Sequence, residues 1–381
     1  MTIPYSRQSV NKKDVTAVNK VLKSNFLTQG PEVEKFEKAL KKNFNAKFCA
    51  VVNSATSGLY LACRAANISK NDIVWTSINT FVSTANVIIH CGAKVEFLDI
   101  NHDGNIDVNN LKKNLLIAAR KKKLPKAIIV VHFAGLSCEM EKIYKLSKKF
   151  RFKVIEDASH AVGSQYKGNK VGSCKYSDFC IFSFHAIKSI TTGEGGAIFS
   201  KIKKNDVKIK LLRSHGINKN KKKFFDKSKV NYDWYYEAVD IGFNFRLTDF
   251  QCALGISQLK RLNSFIKKRT EIAKNYLNSI QNSKLILPNI YRDNLSSWHL
   301  FIIRCNEVKD RKKLYSYLKK NKVTSVLHYI PINYHYFYKD KKNEKFENAK
   351  KYYDTALSIP IFPDLKKNAI KKIIYLLNKF K

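Results

Sequence analysis

The stretch Ala127-Ile128-Ile129-Val130-Val131-His132 places four β-branched residues in a row with no polar alternation. A strand with one wet face alternates apolar and polar residues. An unbroken run fits a strand covered on both faces, the usual situation in a parallel sheet flanked by helices. Outward from it, similar short runs recur at 48–53, 73–76, 95–99, 153–157, 178–183 and 197–200. Amphipathic segments near 56–67, 83–91, 107–120 and 139–150 lie between most of them. Repeated strand–helix–strand predicts an α/β fold, a mostly parallel central sheet with helices on both faces. The first forty-odd residues read as an arm with a helix over 13–22 and a turn at Gly30-Pro31.

The segment 218–237 is lysine-rich and then aromatic, with no clean period, and reads as a long surface excursion. From about 258 a smaller unit begins, with strands expected at 298–304 and 323–329 and a last helix over 369–380. The apolar stripe of that helix, at 370, 373, 374, 377 and 380, suits packing on its own unit better than a membrane surface. The expected division is therefore 1–257, an arm plus a large domain, and 258–381, a small C-terminal α+β domain.

At 381 residues and 44% hydrophobic content, the chain has ample material for a core. With 14 Gly and 7 Pro, collagen-like and linker-dominated classes are excluded. The formal charge of +41 raises nucleic acid as a partner. However, 60 of the 71 basic residues are lysine, spread in pairs and triplets such as Lys121-Lys122-Lys123. Arginine, the better base and phosphate reader, is scarce. The charge therefore reads as a solvated lysine-rich surface that also steers small dianions. A basic nucleic-acid-binding protein on a decayed enzyme fold stays as the competing class. The eight cysteines form no C-x-x-C pair, so neither a zinc ribbon nor a thioredoxin-type site is expected, and no metal. The N-terminal residues have no apolar signal-like core, and scattered thiols suit a reducing compartment, so a soluble cytoplasmic protein is expected.

Three segments sit where open α/β sheets gather function, at strand ends and the helix starts that follow. Val52-Asn53-Ser54-Ala55-Thr56-Ser57-Gly58 offers hydroxyls and free N–H groups to an anion, or is an ordinary N-cap. Val154-Ile155-Glu156-Asp157-Ala158-Ser159-His160 closes a strand with a carboxylate that suits a cationic ring nitrogen, or caps a helix. Phe182-Ser183-Phe184-His185-Ala186-Ile187-Lys188 precedes Thr191-Thr192-Gly193-Glu194-Gly195-Gly196-Ala197. A lysine between a strand and a glycine-rich turn suits a nucleophilic amine, although any one of 60 lysines is a surface residue by default. A phosphate cradle, a carboxylate and an amine together match the three handles of pyridoxal 5′-phosphate (PLP).

On these blocks, together with Leu27-Thr28-Gln29-Gly30, Asp103-Gly104-Asn105-Ile106-Asp107, Arg213-Ser214-His215-Gly216, Asn244-Phe245-Arg246-Leu247 and Val326-Leu327-His328-Tyr329, the whole chain resembles the DegT-type sugar aminotransferases, of PLP fold type I. It looks most like the branch serving pseudaminic acid biosynthesis. The resemblance implies that Lys188 bonds the PLP aldehyde, Asp157 pairs with the pyridine nitrogen, and His160 lies near the 3-hydroxyl. Phe81 would stack on the ring, while Ala55, Thr56 and Ser183 would bind the phosphate. Asn244 would reach the phosphate in a neighbouring subunit, which implies a homodimer with shared sites. For the nucleotide sugar it points to Tyr5, Asn25, Phe26, Leu27, Thr28, Leu327, His328, Tyr329 and Ile330, with Thr56, Ser183 and Asn244 shared. Ile330 departs from the lysine expected there. The implied substrates are L-glutamate and UDP-2-acetamido-2,6-dideoxy-β-L-arabino-hex-4-ulose. The alternatives are another keto-sugar, of 4-amino-arabinose or perosamine type, and a PLP-dependent sugar dehydratase, which carries histidine where this chain has Lys188. His185 and His215 read as structural histidines, and Arg246 as either a carboxylate anchor or a structural residue.

Overall fold

The computed structural model describes residues 2–341 and 345–381. Its centre is a seven-stranded sheet of β1 (Phe48–Val52), β2 (Ile73–Ser77), β3 (Lys94–Leu98), β4 (Ala127–Val131), β5 (Lys153–Asp157), β6 (Phe179–Ser183) and β7 (Gly196–Ser200). The spatial order is β1-β7-β6-β5-β4-β2-β3. Neighbours from β6 to β3 run parallel, and β7 lies antiparallel to both β6 and β1. The decisive run divides its side chains as expected: Ala127 and Ile129 join the core on one face, Ile128 and Val130 the core on the other. All four are fully buried. Such burial is worth about 1.5–3 kcal/mol for each large side chain.

Helices α3 (Ala55–Ala65), α4 (Val82–His90), α5 (Val108–Arg120) and α6 (Met140–Phe150) connect the parallel strands or cover them. Their starts follow local chemistry: Ser54 and Ser57 form a capping box on α3, and the Asp107 side chain accepts N–H groups of α5. In the arm, α1 (Lys12–Leu22) begins at an Asn11–Asp14 capping box. The expected turn at Gly30-Pro31 is instead a helix start. Gly30 is the N-cap and Pro31 the first residue of α2 (Pro31–Phe44), a position where the missing proline N–H costs nothing.

The excursion is confirmed as short turns bracketed by a two-residue ladder, Ile217–Asn218 against Glu237–Ala238. Beyond it, α8 (Asp249–Leu259) packs on α1 and α2, and the 18-residue α9 (Leu262–Ser279) follows; α7 (Lys203–Leu212) lies between β7 and the excursion. A small antiparallel sheet, β8 (Leu285–Ile286), β9 (Phe301–Cys305) and β10 (Ala356–Ile359), carries α10 (Val308–Lys320), α11 (Glu347–Thr355) and α12 (Lys367–Lys379). The strand expected at 323–329 does not form. That segment makes single bridges from Val323 to Ile3 and from Val326 to Ser358, then turns inward so that His328 and Tyr329 enter the central cleft. The stripe of α12 packs, as expected, into a core of its own with Phe301, Leu314 and Leu357. Among the described residues, no helix is long and apolar enough to cross a membrane, and no His/Cys/Asp/Glu cluster is arranged to hold a metal.

Candidate active site

The carboxyl ends of β1, β4, β5 and β6 open into one cleft of about 490 Å³. Ten of the residues expected in the site line it: Tyr5, Ala55, Thr56, Phe81, Asp157, His160, Ser183, Lys188, His328 and Tyr329. They come from six stretches of chain, brought together because parallel strands all end on the same side.

One wall is the start of α3. Val52, Gly196 and Ser183 are register partners across β1, β7 and β6, so the helix begins directly beside the end of the Ser183 strand. Gly196 permits this approach. A Cβ there would lie 2.9 Å from the Ala55 nitrogen and 2.8 Å from the Phe182 carbonyl oxygen. The result is a concave wall with the N–H groups of a helix start and the Thr56 and Ser183 hydroxyls, a setting that favours an anion.

Asp157 ends β5 and is buried. Its Oδ2 accepts from Thr84 Oγ1 at 2.7 Å, and its Oδ1 from Ser159 Oγ at 2.6 Å and Ser159 N–H at 3.2 Å. Thr84 is in turn hydrogen-bonded to Thr80 at 2.9 Å. These donors fix the carboxylate in one orientation. Its neighbour Glu156 takes part in a separate buried network behind the sheet, with His132 Nε2 at 2.6 Å and Ser177.

Lys188 is half-buried, on a turn whose N–H donates to the His185 carbonyl at 2.9 Å. Desolvation lowers its ammonium pKa to about 8, and Asp157 pulls weakly the other way. The turn is fastened by Phe184 N–H to Gly195 O and by Thr192 N–H to Phe184 O, both 2.9 Å. Opposite lies His160, held well below its ordinary pKa first by burial and then by its neighbours Lys188 and His328. Its Nε2 shares a hydrogen bond with the Tyr329 hydroxyl at 2.9 Å, while its buried Nδ1 has no partner among the described residues. Burial likewise pushes His328 down to about 4.

Phe81 is 56% exposed at the lip of the cleft, next to Tyr329 at 6.0 Å between ring centres. An aromatic ring of no use to the core, placed there, is available to stack on a planar group. His185, expected to be structural, also lines the cleft and faces Glu194 at 3.8 Å. His215 is exposed, and Arg246 lines a different cavity beside Arg213.

Other expected residues lie outside the cleft of their own chain. Asn25, Phe26, Leu27 and Thr28 are exposed, and Phe26 faces a separate cavity of about 580 Å³ between α1 and α8. Leu327 and Ile330 flank the inward turn without lining the cleft, and Asn244 is exposed beside Asn53. Residues to which the sequence assigned no role are Thr80, Thr84, Ser159, His299 and Glu194. Of these, Thr84 meets Asp157 across 73 positions, which no local pattern announces.

The residues fit PLP on features of this structure. An anion wall is left open by Gly196, a fixed carboxylate stands within the cleft, an amine has a lowered pKa, and a buried imidazole nitrogen lacks a partner. Comparison with known proteins agrees. Residues 8–378 match the DegT/DnrJ/EryC1/StrS aminotransferase family. The chain is 41% identical over 367 residues, 95% of its length and 93% of the relative's, to the UDP-4-amino-4,6-dideoxy-N-acetyl-beta-L-altrosamine transaminase of Campylobacter jejuni serotype O:23/36. Helicobacter pylori PseC, an aminotransferase of pseudoaminic acid biosynthesis, matches its fold with a TM-score of 0.90 at 34% identity, covering 100% of this chain and 99% of that one. The PLP form of a Streptococcus pneumoniae protein described as a sugar aminotransferase gives 0.89 at 26% identity, with 100% and 98% covered. The chain has the α/β fold of these enzymes and belongs to the DegT/DnrJ/EryC1/StrS aminotransferase family.

Proposed function

We propose that this aminotransferase moves the amino group of L-glutamate to C4 of UDP-2-acetamido-2,6-dideoxy-β-L-arabino-hex-4-ulose. The products are 2-oxoglutarate and UDP-4-amino-4,6-dideoxy-N-acetyl-β-L-altrosamine, a step of pseudaminic acid biosynthesis. The observation that carries the reading is the Lys188 amine, with its pKa lowered to about 8, in one cleft with the fixed Asp157 carboxylate and the start of α3. The sugar follows from the 41% identical transaminase over nearly the full chain.

PLP, when bound, supplies an electron sink that stabilises the charge left when the reacting carbon loses a proton. Asp157, fixed by Thr84 and Ser159, would pair with the ring nitrogen and favour its protonated form. The first turn of α3, Thr56 and Ser183 bind the phosphate. Lys188 Nζ would hold the cofactor and, as a neutral amine, would carry a proton to and from the reacting carbon. Phe81 would stack on the ring, and His160 would offer a neutral nitrogen to it. Glutamate reacts first and leaves as 2-oxoglutarate, and the keto-sugar then takes up the nitrogen.

The enzyme works as a homodimer in the cytoplasm. Asn244 from one subunit reaches the phosphate of the other, and Asn25–Thr28 reach the partner's nucleotide sugar. The exposure of both segments, away from their own cleft, supports this arrangement. A core built almost wholly from residues 272–380 supports a small C-terminal unit, while Leu259, Leu262, Phe265 and Ile266 pack with the large domain beyond the proposed 1–257 and 258–381 division. Incubation with glutamate and defined UDP-4-keto-sugars, read by product mass and NMR, tests the reaction. The altrosamine product supports it, and selective amination of a 4-keto-arabinose or perosamine-type precursor overturns the choice of sugar.

A further inference from the structure

Three buried imidazoles meet at the cleft: His160 and His328 line it, and His299 packs behind His160. The rings of His160 and His299 are 4.4 Å apart, centre to centre, tilted by 43°. Burial keeps the Tyr329 phenol protonated, and among the described residues its hydroxyl has one hydrogen-bond partner, His160 Nε2. In the arrangement proposed below, the phenol donates to Nε2, and a neutral imidazole that accepts on Nε2 carries its own hydrogen on Nδ1. That is the nitrogen without a protein partner.

The backbone that carries His299 is fixed with unusual expense. Arg269 is 1% exposed, yet its Nη1 donates to the carbonyls of Trp298 at 3.1 Å, His299 at 3.3 Å and Ile361 at 2.8 Å. Trp298 is held at φ +49°, a left-handed conformation that a bulky residue rarely adopts. Ser297 Oγ donates to the His160 carbonyl at 2.7 Å. Gly135 closes the joint: at φ +96°, any Cβ there would lie 2.3 Å from Ser297 Oγ and 3.1 Å from the His299 nitrogen. A buried guanidinium and a strained turn thus set one imidazole against another.

We propose that His299 is a positioning residue: anchored by Arg269, its ring holds His160 in the orientation that keeps Tyr329 on Nε2 and presents Nδ1–H to the cofactor. This rests on the PLP reading of the cleft. The titratable and charged groups around the pair are Lys188, His328 and Tyr329, with Arg269 behind His299.

The test is nitrogen NMR of the protein labelled with ¹⁵N-histidine, with and without PLP, the His160 signals assigned by loss in His160→Gln. The wild type is expected to show the neutral Nδ1–H form from pH 6 to 9. In His299→Ala, and in the volume-filling His299→Leu, His160 should populate both neutral forms. Their kcat should fall about tenfold, with KM for both substrates within twofold. His299→Phe, which keeps a ring, should retain the wild-type form, and Tyr329→Phe should shift the proton to Nε2. A wild-type Nε2–H form, or unchanged His160 signals in whichever of the Ala and Leu variants folds, overturns the proposal even if activity drops. A protein that takes up no PLP defeats the cofactor reading instead, and the NMR of the unloaded protein still decides the orientation of His160.

Discussion

The two ends of the cleft are built differently. At the cofactor end, Ala55, Thr56, Asp157, Ser183 and Lys188 stand on or just after consecutive elements of one sheet, and every residue expected there except Asn244 lines the cavity. At the sugar end, Tyr5, His328 and Tyr329 reach the cavity, while Asn25–Thr28, Leu327 and Ile330 do not. The first group is placed by a parallel sheet that delivers all its strand ends to one edge. The second depends on an arm, an inward turn and, on the proposed reading, a second subunit. The lesson is that chemistry common to a fold sits on its most rigid part, whereas the specificity of one enzyme sits on segments whose placement is set from afar.

If that contrast is right, substitutions at the cofactor end cost the most. Lys188→Ala should lower kcat by about 10⁴-fold or more while circular dichroism stays unchanged, and a normal kcat would refute the assignment. Asp157→Asn keeps the hydrogen-bonding shape but removes the charge, and should lower kcat by about 10²–10³-fold with little change in sugar KM. The pH dependence comes next. The folded protein lowers the Lys188 ammonium from 10.5 to about 8, so the neutral amine gains about tenfold per unit as pH rises toward 8 and levels off above it. The rate at which cofactor-free protein captures PLP, followed by absorbance, should show that rise and plateau. A plateau reached only near pH 10.5 would mean an unperturbed lysine.

Gly196→Ala sets a methyl group against backbone atoms of Ala55 and Phe182. It should weaken PLP affinity about tenfold, measured by dialysis and re-addition, because the helix start must retreat. The smallest effect belongs to the sugar end. Ile330 is 41% exposed, and Ile330→Lys should lower the KM for the UDP-sugar about threefold without touching PLP binding. A large change in PLP affinity there would erase the division between the two ends.

The sheet was legible because runs such as Ile128–Val131 must be buried on both faces, and each central strand was placed within a residue or so. Asp157 at a strand end and Lys188 between a strand and a glycine-rich turn were each ambiguous alone, and stood out only in combination and through the family resemblance. What escaped depended on context. Pro31 reads as a turn until a helix is seen to start on it. The 323–329 segment has strand-like residues but only isolated bridges, to Ile3 and to Ser358, rather than a partner strand. Thr84, His299 and Arg269 act through contacts 29 or more positions away, where periodicity carries no information.

The visible absorption spectrum of the purified protein, before and after addition of L-glutamate, is the most direct test of whether Lys188 and Asp157 form a working PLP site. A yellow protein whose band falls on adding glutamate, with Lys188→Ala failing to respond, is the expected result. A protein that stays colourless after PLP is supplied would contradict it, and the charge of +41 would then become the leading clue to function.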